Sequence, residues 1–473
     1  MDERLFDRNG SARQDTKPSY RPARRDVLRG LGLAAAGASV APLLNACGGG
    51  SSSSSGGLTV WWGKGFYEAE DEAVKKVVDE WSSKTGKKVS LQFYNTDDIE
   101  TKVTSAVTAG QGPDILYQQN TRAQYLAYKG ELAEIGEVVK SAPLTANALK
   151  AARHYNSKKD ASGYYAVPIM GWTTPLFHWK DMLAKVGMDY ADAPSDWHGY
   201  WRFFEDAQKK YRGQGTSKVY AIGWPMSTAA PDTHEHFQIV IRAFGGQLLN
   251  DDGTLATGAG AKKALTEALA WVTNLYQKHY TPKGCISWDS GGNNTAFLNQ
   301  QVLLTPNGSL SIPGAVQQDN HAKWEKIVTT KWPDSPAGGP TPTPWKFGKM
   351  VLFAKSDNQD TAKDLMKHIV RPKSIQKFLS GGRDRWFPTL KPLIKDPYWS
   401  HNDDPNVAAI AAIQAANPVV DWRELSLAWS RVEDEDLEGK AMGRVLQQGQ
   451  SVSDSANQLL EATKHIFQQY EHA

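Results

Sequence analysis

Hydrophobic positions change their period several times between residues 58 and 117, and each change marks an element. Leu58-Thr59-Val60-Trp61-Trp62 is an apolar run of strand length. From Glu68 to Lys84 the spacing widens. Val74, Val77, Val78 and Trp81 fall on one helical face, and acids crowd the first turn, where the helix dipole favours them. Gly86 ends that helix, and Lys88-Val89-Ser90-Leu91-Gln92-Phe93 alternates as a strand does. Asp97-Asp98 are expected to cap a second helix carrying Ile99, Val103, Ala106 and Val107, which stops at Gly110. Gly112-Pro113-Asp114 then turns the chain into a buried strand, Ile115-Leu116-Tyr117. Strand, helix, strand, helix, strand predicts a βαβ sheet that binds ligands at the carboxyl ends of its strands.

Further on, Leu248 to Thr254 reads as a hairpin turned by Asp252-Gly253, where turn chemistry is a simpler account of the paired aspartates than calcium. Thr361 to Val370 is a capped amphipathic helix ended by Pro372, and Leu459, Leu460, Thr463, Ile466, Phe467 and Tyr470 form a helical packing stripe. Pro336 to Pro344 is the richest Pro/Gly stretch of the body and reads as a connector.

The N-terminus follows another logic. Arg24-Arg25-Asp26-Val27-Leu28 precedes an Ala/Gly/Leu run from Gly30 to Leu44, an order similar to a bacterial twin-arginine export signal. The run is short, rich in Gly and Ala, and contains Pro42, which argues against a permanent membrane span. Leu44-Asn45-Ala46-Cys47 resembles a lipobox, which makes Cys47 the lipidation site, with Asn45 departing from the usual pattern. Gly48 to Gly57 holds only Gly and Ser, a flexible tether. Gly30-Leu31-Gly32-Leu33-Ala34-Ala35 satisfies a dinucleotide fingerprint, but no strand precedes it and it lies inside the export signal.

Charge changes the picture only at this end. The 473 residues carry 54 basic and 51 acidic side chains, and residues 1–46 hold eight of the former and five of the latter, leaving 46 of each. A neutral body gives no nucleic-acid footprint. Two cysteines, Cys47 and Cys285, exclude a disulfide framework and a Cys-rich zinc module. Seventeen tryptophans are about three times the average share and mean either aromatic platforms or a Trp-heavy core.

Recognisable catalytic frames are missing from the body: no H-E-x-x-H, G-x-S-x-G, Walker loop or C-x-x-C occurs. His234 and His236 would point to different faces of a helix, so they are read as solvated or capping rather than metal-binding. Glu433 to Glu438, five acids in six positions, reads as a solvated helix start, and Cys285 as a buried small hydrophobe.

Several blocks resemble family 1 extracellular solute-binding proteins of ABC importers, the carbohydrate-type, maltose-binding-protein-like group. They are "SSKTGKKVSLQF", "AVTAGQGPDILY", "LAYKGELAEI", "GYYAVPIMGWTTPLFHWKDMLAKVGM", "AFGGQLLNDDGTLAT" and "KMVLFAKSDNQDTAKDLMKHIV", in the family's order over most of residues 58–390. The resemblance implies an α/β, two-lobe periplasmic-binding-protein fold (type II) whose hinge is crossed three times, near Ala166–Pro168, Ala337–Pro344 and Leu390–Pro397. It implies lobes of residues 58–166 plus 340–395 and 167–339 plus 396–473. It further implies an exported monomer in the periplasm or on the cell surface, held to the membrane only by its lipid, without cofactor or catalytic step. Such a protein would hand a small polar solute, a sugar, oligosaccharide or polyol, to a permease; a secreted hydrolase or lyase using the same cleft is the alternative.

Sugars offer an apolar face to stack on and a rim of hydroxyls to satisfy. Candidates at strand ends are Trp62, Lys64, Gln118, Gln119, Asn120, Arg122, Trp172, Trp224, Asn294, Asn307, Trp345 and Arg385, with no metal ligand among them. Trp81, Trp197 and Trp271 are read as structural. The sugar-contacting Trp, Asp and Arg of the family's maltose binders would fall on Gln118, Thr121 and Arg122, and a stacking Trp on Leu310. Only the Arg is kept, which disfavours maltose.

Overall fold

In a computed structural model, residues 57–119, 123–152, 163–250, 253–256, 258–416 and 421–470 are described. The export signal, Cys47 and the Gly/Ser tether up to Gly56 lie outside these residues, and so do Asn120 and Arg122.

Among the described residues nine strands form two sheets: β1 Leu58–Gly63, β2 Val89–Tyr94, β3 Ile115–Gln118, β4 Ala166–Trp172, β5 Leu176–Trp179, β6 Tyr220–Ile222, β7 Val302–Pro306, β8 Ile327–Thr330 and β9 Lys346–Leu352. The first sheet has the order β2-β1-β3-β9-β4 and the second β6-β7-β5-β8. β1 is apolar except at Thr59 because both its faces are covered. Leu58, Val60 and Trp62 pack with Val74, Val77, Val78 and Trp81 of the helix Glu68–Thr85. Trp61 joins Ile99, Val103 and Leu116 under the helix Thr96–Thr108. Each fully buried side chain of this kind stabilises the lobe by roughly 1.5–3 kcal/mol. The second helix starts without a side-chain cap after Asn95, not at the Asp97-Asp98 pair. Pro372 opens a new helix, Pro372–Gly381, directly after Gln359–Ile369. The hairpin reading of 248–254 matches the observed bridge between Leu249 and Leu255, with Gly253 at φ 86° donating to the Asn250 carbonyl.

Each sheet contains one strand running against its neighbours. β9 is antiparallel to β3 and β4, and β5 to β7 and β8. Both are the first strands the chain lays down after changing sheets. They therefore start where the other strands finish: Lys346 sits opposite Trp172, and Leu176 opposite Pro306. The passages themselves lie side by side. Thr173 Oγ1 donates to the Pro344 carbonyl at 3.2 Å, the Trp332 indole to the Thr174 carbonyl at 2.7 Å, and Gly171 and Phe387 exchange backbone bonds at 2.8 Å. The first passage is residues 173–175. Ala166–Pro168, where it was expected, belongs to β4, whose pairing with β9 continues to Trp172. The second passage, residues 331–345, contains the Pro/Gly stretch. The third follows Leu390, after which the helix Pro405–Ala416 packs on β8.

The second lobe explains much of the tryptophan excess. Trp197, Trp201, Trp224, Trp271 and Trp332 form a cluster with ring centroids 5.0–6.4 Å apart. The closing helices Leu437–Gln448 and Val452–Gln468 pack on Ala259–Gln277, the helix that supplies Trp271.

Candidate ligand-binding cleft

Two connected chambers open between the sheets, of about 500 Å³ and about 350 Å³, sharing Thr96, Gln119, Pro231 and Glu235 as walls. They lie at the carboxyl ends of the strands, where parallel strands leave their last polar groups facing outward. Lys64 follows β1, Gln118 ends β3 with Gln119 just beyond it, and Trp172 ends β4. Asn307 and Gly308 follow β7, and the helices Pro231–Ala243 and Gly292–Leu298 present their first turns from the second lobe. Gly308 is held tight here, since a Cβ on it would lie 3.3 Å from the Trp172 indole.

Arg385 is the best-held side chain of the larger chamber. Its Nη1 donates to Glu70 at 2.7 Å and its Nε to Ser309 Oγ of the second lobe at 3.1 Å, while its guanidinium lies 4.1 Å from the centre of the Trp386 ring. Glu70 also accepts from the Phe66 amide at 2.8 Å and the Trp386 indole at 2.9 Å. Trp386 in turn meets Trp172 edge to face at 5.2 Å. A carboxylate from the first helix thus sets both the guanidinium and the aromatic corner of the cleft.

Amides line the opposite wall. Asn293 Nδ2 donates to Asn307 Oδ1 at 3.2 Å, to the Pro306 carbonyl at 3.1 Å and to Asp232 at 3.3 Å. Asn307 and Asn294 both donate to Ser311 Oγ, at 2.8 and 3.1 Å. The Oδ1 of Asn294, in a side chain only 3% exposed, has no partner.

Charges from four segments meet under the smaller chamber. Lys346 of β9 pairs across the cleft with Glu235, both buried. Arg423 is clasped by Asp421 and reaches Glu433 at 2.8 Å. The Arg423 guanidinium holds the Asp421 carboxyl below its usual range although burial opposes this. His234 Nδ1 sits 2.8 Å from Glu438, with Asp436 at 3.4 Å from its other nitrogen. Burial alone would lower the imidazole, but these carboxylates push it up to about 10, so it is a cation. Burial first, and Glu235 second, raise Asp232 to about 7.

Seven of the residues expected at the site from sequence line this cleft: Lys64, Gln118, Gln119, Trp172, Asn294, Asn307 and Arg385. Three do not. Trp224 is wholly buried in the indole cluster and meets His236 edge-on. Trp62 points into the first core, stacked on Tyr117 at 4.2 Å. Trp345 faces away from Lys346, its neighbour on β9, and lies against Gly171 and Phe387. A tryptophan at a strand end has an even choice of faces, and in all three the core face won. His234 and His236 do point apart, but both are buried rather than solvated. The run Glu433 to Glu438 is not a solvated face either, since Glu433 holds Arg423 and Glu438, fully buried, holds His234. Cys285 is buried as expected, its thiol pushed up to about 12. Glu70, Asp232, Glu235, Lys346 and Arg423 were not singled out from sequence. Among the described residues no group of three or more His, Cys, Asp or Glu could hold a metal ion, and no helix is long and apolar enough to cross a membrane.

Two α/β lobes, a hinge crossed three times and a polar, aromatic-cornered cleft define a two-lobe periplasmic binding protein of type II. The chain belongs to the bacterial extracellular solute-binding protein family, whose family model matches residues 76–409. It is 22% identical over 363 residues to the multiple sugar-binding protein of Streptococcus mutans, covering 71% of this chain and 81% of that one. It is also 22% identical to the maltotriose-binding protein of Pyrococcus abyssi, over 73% of this chain and 69% of that one. Among solved structures, an ABC-transporter solute-binding protein from Thermotoga lettingae with bound α-D-tagatose superposes with a TM-score of 0.73 at 20% identity, covering 87% of this chain and all of the other. Family membership implies export to the periplasm or cell surface and an ABC transporter as partner.

Proposed function

We propose that this protein is a lipid-anchored receptor, tethered through Cys47, that takes up a small polar solute between its lobes and delivers it unchanged to an ABC importer permease. We assign residues 58–172 and 346–395 to one lobe and 176–330 and 396–470 to the other, joined by the three passages. The solute class is a sugar, short oligosaccharide or polyol. The observation that carries this reading is the cleft itself. Trp172 and Trp386 offer aromatic surface, and Gln119, Asn294, Asn307 and Ser311 offer hydrogen-bonding groups of the kind a hydroxyl-rich ligand needs. The names of the relatives, spanning several sugars, support the class and leave the individual solute open. Transport then follows from population shift. A ligand touching both lobes stabilises the closed state by its excess affinity for it, and the permease reads that state. The protein would act as a monomer, with no chemical step.

Thermal unfolding against a panel of sugars, polyols and other polar solutes tests this, with each hit re-weighed by mass spectrometry. A solute at a hundred times its Kd adds about 2.7 kcal/mol, a shift of a few degrees. Intact recovery of the hit supports a transport receptor. Recovery as a product would make the protein an enzyme, and silence across the panel would reject the solute class.

A further inference from the structure

Carboxylates outnumber basic groups two to one on the walls of the cleft. The smaller chamber is lined by Glu100, Glu235, Glu433, Asp434 and Asp436, against His234 and Arg423. The larger is lined by Asp98, Asp232, Asp289 and the shared Glu235, against Lys64 and Arg385. Nearly all the positive charge is already spoken for from behind the walls. Glu70 holds Arg385, Asp421 holds Arg423, Glu438 holds His234, and Lys346, beneath the smaller chamber, is paired with Glu235. Among the described residues Asp98, Asp232 and Asp289 take part in no ion pair, and all three line the larger chamber. The orphaned Oδ1 of Asn294, buried in the same chamber, is a further acceptor waiting for a donor. A neutral sugar would leave these carboxylates desolvated on closure with no counter-charge, which costs free energy. A group that only donates and is positively charged would satisfy both.

We propose that the solute recognised here carries a protonated amino group, so that the cleft selects an amino sugar or amino polyol over its neutral counterpart. The inference rests on the reading of this cleft as the solute site. In it the ammonium sits in the larger chamber near Asp232, Asp289 and Asn294, and the carbohydrate face lies toward Trp172 and Trp386. The groups facing Asp232 are Glu235 one turn along its own helix, Lys346 of β9, Arg385 and Asn293. Burial and Glu235 keep it partly protonated near neutrality, and an arriving ammonium supplies the counter-charge it lacks.

The test is calorimetric binding of matched pairs to the full-length protein: 1-amino-1-deoxy-D-glucitol against D-glucitol, and D-glucosamine against D-glucose and N-acetyl-D-glucosamine. One charge-assisted hydrogen bond predicts a preference of about tenfold to a hundredfold for each amine. That preference should shrink in high salt. Affinity for the amino-glucitol, which stays charged, should rise as pH is raised from 6 to 8, while the affinity for D-glucitol should not rise. Asp232→Asn and Asp289→Asn should each cut the preference, and the wild-type pairs decide the matter even if a variant folds poorly. Neutral members binding as tightly as the amines would overturn the inference and leave the polar-solute receptor standing. Silence from both amines would overturn it too, and silence from the whole panel would take the receptor reading with it. Putrescine binding as tightly as the amino-glucitol would support the cation preference while overturning the carbohydrate class.

Discussion

Removing the Glu70 carboxylate is the sharpest perturbation of the cleft that needs no knowledge of the ligand. Glu70 and Arg385 are 5% and 10% exposed in their side chains and 2.7 Å apart, so neither charge has water to fall back on. Two unit charges about 4 Å apart attract by about 4 kcal/mol at the effective dielectric suited to such sites. Much of that is offset by desolvation, so the pair's net contribution is small. Breaking it is another matter. Glu70→Ala strands the Arg385 guanidinium and leaves the Phe66 amide and Trp386 indole without their acceptor, which should cost about 3–5 kcal/mol. Spread over roughly 400 residues at about 2.1 cal/mol/K each, that is a fall of about 4–6 °C in the melting temperature. Arg385→Met, which removes the other charge, should rescue in the double variant the part of the loss due to the stranded guanidinium, while the Phe66 amide and Trp386 indole stay without their acceptor. Urea titrations of the wild type, both single variants and the double variant give the cycle. A Glu70→Ala loss under about 1 kcal/mol, or a coupling energy under about 0.5 kcal/mol, would refute the view that this carboxylate sets the aromatic corner of the cleft.

Three further outcomes follow from the same geometry. Trp224→Ala should lower stability by about 3–5 kcal/mol in urea unfolding yet leave the affinity for any solute found within about twofold, whereas Trp172→Ala should lose about tenfold or more in affinity by calorimetry. His234, raised to about 10 when folded, contributes stability that is fully present below its unfolded value near 6.5 and drains away as pH rises from there toward 10; His234→Gln should flatten the urea midpoint over that range. Asp232 is also raised, to about 7, which for an acid means that stability falls as pH climbs from about 4 to 7 and stays low above it. Asp232→Asn should therefore be more stable than wild type in urea unfolding at pH 8 by about 1–3 kcal/mol and no more stable at pH 4, at the expense of binding.

How much of this could be read from the chain divides along the range of the forces involved. Periodicity is local, and it served where packing is local. The alternation in residues 58–117 became two covered faces of one sheet, with Trp61 and Trp62 on opposite sides of it. The first passage between sheets lies several residues beyond Ala166–Pro168, where the resemblance put it. The strand accommodates that proline with a register shift between Pro168 and Met170. Tryptophan content was ambiguous for a physical reason, since an indole suits a core and a sugar platform equally well. Only the positions of Trp201, Trp271 and Trp332 in space show that Trp224 belongs to the core.

The electrostatics of the cleft obey no local rule at all. Glu70 and Arg385 are 315 residues apart in sequence, and His234 and Glu438 are 204 apart. Glu70 looked like a dipole-favoured acid in a helix's first turn, and Glu433 to Glu438 like a solvated run, because spacing along one element reveals only what that element can do alone. Both readings describe the isolated helix correctly. What changes them is burial against a cation delivered by a distant strand or loop, which converts a weakly favoured surface charge into one whose loss is expensive. A fold can thus be inherited with little identity while its binding chemistry turns over. The strand ends stay where the hinge puts them, while the charges around them are paired by residues far away in sequence.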